Sequence, residues 1–95
     1  MDIKKSKDYE RTFKRITKRD ILTKENIELA IKLFISNNLN HKLNFKKIQC
    51  KHDKNRHSIL IPNTQYRILI SISHNIAVLQ CICDHDEYNM RNKRC

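Results

Sequence analysis

The hydrophobic positions in the first third of the chain recur at helical spacing. Tyr9, Phe13 and Ile16 stand at i, i+4 and i+7, which would place them on one face of a helix. Ser6 precedes them, and serine is a favoured N-cap because its hydroxyl accepts a hydrogen bond from a free amide of the first turn. The pattern predicts a helix from Ser6 to about Thr17.

A second and stronger stripe begins after Thr23. Its apolar positions again share helical spacing: Ile27, Ala30, Ile31, Phe34 and Ile35. This predicts a helix to about Asn38, paired with the first as a helical hairpin. Asparagines at 37, 38 and 40 are expected to end it through a left-handed residue, since asparagine is the best substitute for glycine there.

The second half of the chain changes to the periodicity of β-strands. Runs rich in β-branched residues at 58–61, 65–73 and 76–84 are separated by short turn signals, which predicts a three-stranded antiparallel meander. Residues 1–5 form a candidate fourth strand. Residues 85–94 are polar and suited to a helix, so we expect a short C-terminal helix.

Side-chain alternation indicates how the sheet is covered. Ile68, Ile70 and Ile72 alternate with Arg67 and Leu69, which is typical of a sheet with one buried and one partly open face. The third strand is apolar on both faces and is expected to be central. We therefore predict an α+β fold, in which two N-terminal helices pack on a twisted antiparallel sheet and a short helix follows.

Composition narrows the function. A chain of 95 residues has the length of one domain, so residues 1–95 are expected to form a single core. The sequence contains no glycine, which excludes the P-loop, the dinucleotide fingerprint and the glycine-containing KH and RRM signatures. Each of these needs glycine where the backbone approaches a phosphate or a base. We expect no cofactor.

The charge points to a polyanionic partner. Lys and Arg number 20 against 10 Asp and Glu, a net charge of +10, so nucleic acid or an acidic protein is the expected partner class. No apolar run is long enough to span a membrane, and the lysine-rich start lacks a secretory signal. We expect a cytoplasmic protein without a membrane partner.

The four cysteines have no spacing typical of a disulfide framework, which predicts reduced thiols at Cys50, Cys81, Cys83 and Cys95. The alternative is a metal site, because Cys81, Cys83 and His85 would share one face of an extended strand. Structural zinc sites need four ligands, and no second cysteine pair is available. Buried strand cysteines without a metal are the preferred interpretation.

Three stretches between Leu43 and Arg94 carry motifs. They are 43–48, the hairpin 58–70 with its Asn-x-x-Tyr-Arg-Ile sequence, and the ending His-Asp-Glu-Tyr at 85–88. Together with the order of two helices and a meander, these motifs resemble the RelE/ParE superfamily of toxins from bacterial type II toxin–antitoxin modules. The closing histidine also resembles that of the YafQ-like ribonucleases.

The resemblance implies a toxin that cleaves mRNA as a metal-independent endoribonuclease, at the ribosome, and so inhibits translation. It also implies a cognate acidic antitoxin and a toxin–antitoxin hetero-oligomer. Two alternatives remain: a non-catalytic basic toxin of the ParE type that inhibits DNA gyrase, and an inactive module that binds nucleic acid or an antitoxin. A catalytic histidine separates these possibilities, because inhibition of gyrase needs no positioned acid or base.

His85 is the main candidate for proton transfer, since histidine exchanges protons near neutral pH. Arg67 can hold a phosphate with its planar guanidinium, and Tyr88, one helical turn after His85, is a candidate for stacking on a base or for orientation. His57 is a second candidate for proton transfer, although a histidine beside a basic loop is more often only solvated. The expected nucleic-acid-binding residues are Lys46, Lys47, Lys51, Lys54, Arg56 and Arg91. The basic loop and His85 are expected to border one groove.

Each of these residues also has a purely structural interpretation. His85 would cap the last helix together with Asp84 or Asp86. Arg67 would form an ion pair with one of the same two aspartates. Tyr88 would pack on the sheet. The sequence leaves these alternatives open.

Overall fold

The computed structural model describes residues 1–95 and has an α+β architecture. Its elements in chain order are β1 (Asp2–Lys5), α1 (Lys7–Lys18), α2 (Lys24–Ser36), a short 3-10 turn (His41–Leu43), β2 (Lys46–Lys47), β3 (Arg56–Leu60), β4 (Arg67–Ser73), β5 (Ile76–Cys83) and α3 (His85–Arg94). The strands form one sheet in the order β1-β5-β4-β3-β2. The predicted fold class is confirmed.

The two predicted N-terminal helices begin at the predicted caps. The Ser6 hydroxyl accepts a hydrogen bond from the Tyr9 amide at 3.0 Å, and the Thr23 hydroxyl accepts one from the Asn26 amide at 3.1 Å. Helix α1 packs against β5 and helix α2 against β3. Both therefore cover the same face of the sheet, where the larger hydrophobic core lies.

The sheet is buried on both faces, but unequally. Ile68 and Ile70 join the larger core under α1 and α2. Leu69 points the other way, into a smaller cluster with Ile48, Cys81, Cys83 and Tyr88. This second face is covered in part by α3, as Tyr88 belongs to that helix. The predicted alternation along β4 is confirmed.

The chain manages its turns without glycine by placing other residues in the left-handed region. His74 and Asn75 have φ values of 51° and 61°, as a two-residue turn between twisted antiparallel strands requires. Asn44 and Asn63 also have positive φ values. The expectation that a left-handed asparagine ends α2 is wrong, because Asn37 follows the helix with an extended φ of −159°.

Three features of the sheet differ from the sequence expectations. The N-terminal strand β1 pairs with β5 in parallel, so the sheet is not wholly antiparallel. A two-residue strand, β2, adds a further edge beside β3. The expectation that the strand at 76–84 is central is wrong, because β1 adds only one strand outside β5; β5 is interior and its neighbour β4 is the central strand.

The expectation of four free thiols is wrong for two of them. Cys50 and Cys95 are joined by a disulfide, whereas Cys81 and Cys83 are free and buried. The pairing spans 45 positions of sequence. It forms because α3 runs back across the sheet and brings the C-terminus to the loop before β3. No helix of the structure combines the length and apolar character needed to cross a membrane.

Candidate active site

The junction between β5 and α3 fixes the position of His85. Strand β5 ends at Cys83, and Asp84 caps α3 by accepting a hydrogen bond from the Glu87 amide at 2.8 Å. His85 is the first residue of the helix and is exposed. Its Nε2 lies 3.3 Å from the side-chain nitrogen of Asn89, one turn further along. The imidazole is therefore anchored by the sheet but open to solvent.

Arg67 lies beside His85 at the start of the central strand. It pairs in register with Cys83, two residues before the histidine. Together with Gln65, the two side chains line a shallow depression of about 290 Å³. The structure thus brings together the predicted phosphate ligand and the predicted proton-transfer group.

The guanidinium of Arg67 has no acidic partner. The ion pair with Asp84 or Asp86 that the sequence left open is not formed. Instead, its Cζ lies 5.0 Å from the centre of the Tyr88 ring, within the range of a cation–π interaction. Its Nη1 is buried without a hydrogen-bond partner. The positive charge is held in place, yet no carboxylate neutralises it.

Tyr88 forms the support beneath this arginine. Only 7% of its surface is exposed, and its hydroxyl lies 3.1 Å from the hydroxyl of the fully buried Ser58. Of the two alternatives for this tyrosine, packing on the sheet is the one that the structure has. Sequence reasoning missed Ser58, since a serine within an apolar strand gives no sign of the partner it meets across the sheet.

His57 lies on the opposite face of the sheet. Its neighbour Ser58 points toward α3, so His57 points toward the helices α1 and α2. The imidazole stacks on Phe45 at 5.2 Å between ring centres, and its Nδ1 lies 2.7 Å from the Asn55 carbonyl oxygen. His57 and His85 therefore do not share a groove.

The basic loop before β3 is also separate from His85. Its lysines 51 and 54 line a depression at the C-terminal end of α3, next to Cys95. His85 is at the other end of this ten-residue helix, about 15 Å away at the rise of an α-helix. The prediction of one groove bordered by both is wrong, because α3 separates them along its length.

Two of the predicted nucleic-acid ligands are engaged within the fold. Arg56 binds Asp53, with Nε to Oδ2 at 3.1 Å. Arg91 binds Asp8 and Glu87, each at 3.0 Å. Lys46, Lys47, Lys51 and Lys54 are exposed and form no ion pair. The lysines are thus the better placed ligands for a polyanion.

Asp53 shapes the basic loop by turning its charge inward. It accepts hydrogen bonds from the Ser71 hydroxyl, the Asn55 amide and Arg56. Burial would raise the pKa of Asp53, but these donors and the charge of Arg56 outweigh it and hold the pKa below the usual 3.8. The carboxylate of the only acidic side chain in the loop is therefore ionised and paired with Arg56.

The buried cysteines do not form a metal site. Cys81 and Cys83 have their sulfur atoms 3.0 Å apart, and this contact together with burial raises the pKa of the Cys83 thiol. The alternative that included His85 fails because the strand ends before it, and no cluster of three or more His, Cys, Asp or Glu side chains is arranged to hold a metal ion.

The architecture of this chain is similar to that of several solved structures. No protein-family model matches the sequence, and no curated protein matches it. Among solved structures, YafQ from E. coli strain BL21(DE3) is similar at a TM-score of 0.74 and 13% identity, over 92% of this chain and 96% of that chain. The YafQ of the E. coli DinJ-YafQ toxin–antitoxin complex is similar at 0.75 and 16%, over 90% and 93%.

A third similar structure is another antitoxin–toxin complex. The RelB-RelE antitoxin–toxin complex from Methanococcus jannaschii matches at a TM-score of 0.61 and 24% identity, over 93% of this chain and 96% of that chain. The chain has a RelE-like toxin fold. The sequence resemblance is thereby confirmed at the level of the fold.

Proposed function

We propose that this chain is the toxin of a type II toxin–antitoxin module and that it cleaves mRNA without a metal ion. The observation that carries the proposal is the exposed His85 beside the unpaired Arg67, on a RelE-like toxin fold. Cleavage of a phosphodiester is accelerated by a proton-transfer group and by a cation that stabilises charge on the phosphate, and these two residues offer both. Cleavage of mRNA inhibits translation, and this places its action in the cytoplasm.

Metal-independent cleavage of RNA proceeds by attack of a 2′-hydroxyl on the adjacent phosphate. One proton leaves the attacking oxygen, and another must reach the departing 5′-oxygen. His85 supplies one of these transfers from its exposed position at the start of α3. Arg67 binds the phosphate as negative charge builds on its oxygens.

Tyr88 acts through Arg67 in this mechanism. Its ring lies under the guanidinium and its hydroxyl is bound to Ser58, so it fixes the height of the cation above the sheet. Its burial removes it from contact with a base. We assign Tyr88 as a positioning residue. His57 lies on the other face of the sheet and has no part in the proposed reaction.

The partners follow from charge and from the similar structures. Two of these were solved with an antitoxin bound. This chain carries a net charge of +10, which favours binding to an acidic antitoxin. The chain and the antitoxin would form a hetero-oligomer. The same charge favours binding to mRNA and to ribosomal RNA. We therefore propose that cleavage takes place on mRNA at the ribosome.

Expression in a bacterial host tests the proposal. The wild-type chain should arrest translation and growth, and His85→Gln should relieve the arrest while the protein still folds. The matched control is His41→Gln, because His41 is exposed and remote from α3. If His85→Gln remains fully toxic and DNA replication stops first, the chain acts as a gyrase inhibitor of the ParE type instead.

Co-expression with the adjacent gene tests the partner. An acidic product of that gene should copurify with the chain and should suppress its toxicity. Failure of any neighbouring product to do either, together with harmless expression of the chain alone, would contradict the assignment as a toxin.

A further inference from the structure

The disulfide lies in the wall of a basic depression on the surface. This depression of about 550 Å³ is lined by Lys47, Lys51 and Lys54 and by both cysteines of the Cys50–Cys95 pair. None of the three lysines forms an ion pair. The acid of the loop, Asp53, is turned away toward Ser71 and Arg56. The cavity is therefore suited to phosphate groups.

The disulfide is the main constraint on the segment 49–52 of the loop before β3. Residues 49–52 make no hydrogen bond, either through the backbone or through side chains. The loop is fixed only at its ends, by the Ile48 amide bound to the Arg56 carbonyl at 2.9 Å and by Asp53. Cys50 anchors the middle of the loop to the end of α3. Without the disulfide, Lys51 would lose its fixed position.

We propose that the Cys50–Cys95 disulfide preorganises a binding site for an RNA backbone and that its reduction weakens RNA binding. The choice of RNA as ligand rests on the proposed function. The site lies about 15 Å from His85, the length of α3. It would therefore hold phosphates a few nucleotides away from the cleaved bond and act on affinity without taking part in the chemistry.

The chemistry of the switch is ordinary thiol–disulfide exchange. One thiolate of a dithiol attacks a sulfur of the disulfide, which forms a mixed disulfide and releases the other cysteine. The second thiolate of the reagent then attacks the mixed disulfide and releases the remaining cysteine. Two electrons and two protons pass to the cysteines, and the dithiol becomes a disulfide. Cys95 is partly exposed and accessible to a reductant, whereas Cys81 and Cys83 are fully buried. Disulfides are rare in cytosolic proteins, and those that form there are usually transient and either catalytic or redox-sensing.

The direct test compares RNA binding by the oxidised and the reduced chain. The probe is a fluorescent 2′-O-methyl RNA oligonucleotide, which cannot be cleaved because the attacking hydroxyl is blocked. Affinity is measured by anisotropy across a range of salt concentrations, with and without dithiothreitol. Loss of the phosphate contact at Lys51 on single-stranded RNA would reduce the slope of log K against log salt by about 0.7. The oxidised chain should bind more tightly and show the steeper slope.

Three variants separate the site from general charge. Cys50→Ser with Cys95→Ser should bind like the reduced chain and should not respond to dithiothreitol. Lys51→Gln in the oxidised chain should lower the slope, whereas Lys32→Gln, an exposed lysine on α2, should change it far less. Equal affinity and slope in the oxidised, reduced and double-serine proteins would overturn the proposal. So would free Cys50 and Cys95 thiols in the oxidised protein by mass spectrometry.

The outcome is separable from that of the proposed function. If the chain cleaves RNA but binds it with no dependence on the disulfide, the switch is wrong and the function stands. If binding depends on the disulfide but neither state cleaves RNA, the switch stands and the endoribonuclease assignment is wrong.

Discussion

Replacing Tyr88 with phenylalanine removes the hydroxyl that links α3 to the sheet. In the native fold this hydroxyl lies 3.1 Å from that of Ser58, which is fully buried and has no other hydrogen-bond partner. Tyr88→Phe therefore leaves a buried hydroxyl unsatisfied, which costs about 1–3 kcal/mol of the free energy of unfolding. Ser58→Ala should cost about 1 kcal/mol, since Tyr88 is slightly exposed and its hydroxyl can recover some hydration.

The double variant is the informative one. Tyr88→Phe with Ser58→Ala removes both partners and leaves apolar groups of similar shape, a change that can be nearly neutral. Its cost should be smaller than the sum of the two single costs by about 1–2 kcal/mol. Urea unfolding followed by circular dichroism gives all four free energies. Additive costs would refute the hydrogen bond.

The same variants divide structure from chemistry at this tyrosine. Phenylalanine keeps the ring under Arg67, so the guanidinium should stay in place and RNA cleavage by the folded Tyr88→Phe protein should remain within a few-fold of wild type. Tyr88→Leu removes the aromatic face and should lower cleavage much more. Loss of cleavage in Tyr88→Phe without loss of stability would instead make the hydroxyl a catalytic group.

Three other outcomes follow from the fold. Removal of the disulfide by Cys50→Ser should cost about 4 kcal/mol on the chain-entropy model for a separation of 45 residues, measured by urea unfolding of the oxidised wild type against the variant. Thr23→Ala should cost about 1 kcal/mol through loss of the cap of α2, measured in the same way. Burial raises the pKa values of Asp8 and Asp53, but hydrogen bonds and arginine charges lower them by more. Both pKa values therefore lie below 3.8 in the folded protein. Their stabilisation is full above the unfolded value and should be lost as the pH falls below about 4, with Asp53→Asn showing a weaker loss in an acid titration.

The helices and the meander were predictable because their signals are local. Ser6 and Thr23 cap helices whose apolar positions repeat in the printed sequence. The alternation along β4 also predicted which residues face the larger core. Each of these features depends on residues within one turn or one strand, so no knowledge of the tertiary structure was needed.

The parts that could not be predicted depend on distant residues meeting. The two-residue strand β2 is too short to carry a periodicity, and its pairing with β3 defines it. The disulfide joins Cys50 to the last residue of the chain, which no spacing rule indicates. The predicted groove failed for the same reason, since the direction of α3 places His85 and the basic loop at opposite ends.

The candidate site was predictable in its two main residues. Arg67 lies on β4 and His85 begins α3, two residues after β5 ends; they meet because β4 and β5 pair in register, with Arg67 opposite Cys83. The sequence motifs named both residues. The motifs did not indicate that Arg67 lies over Tyr88 without an acidic partner. The absence of such a partner leaves the charge of Arg67 available for a phosphate.

The proposed endoribonuclease activity is measured by cleavage of mRNA with the purified, folded chain. The assay contains translating ribosomes and, in a parallel reaction, naked mRNA with a metal chelator present. It compares wild type with His85→Gln, Arg67→Lys and the control His41→Gln, and maps the new RNA ends. The expected result is 2′,3′-cyclic phosphate ends, a loss of about 10²–10⁴-fold in rate for His85→Gln, a clear loss for Arg67→Lys and no loss for His41→Gln. Undiminished cleavage by His85→Gln, or no cleavage by the wild type in either reaction, would contradict it.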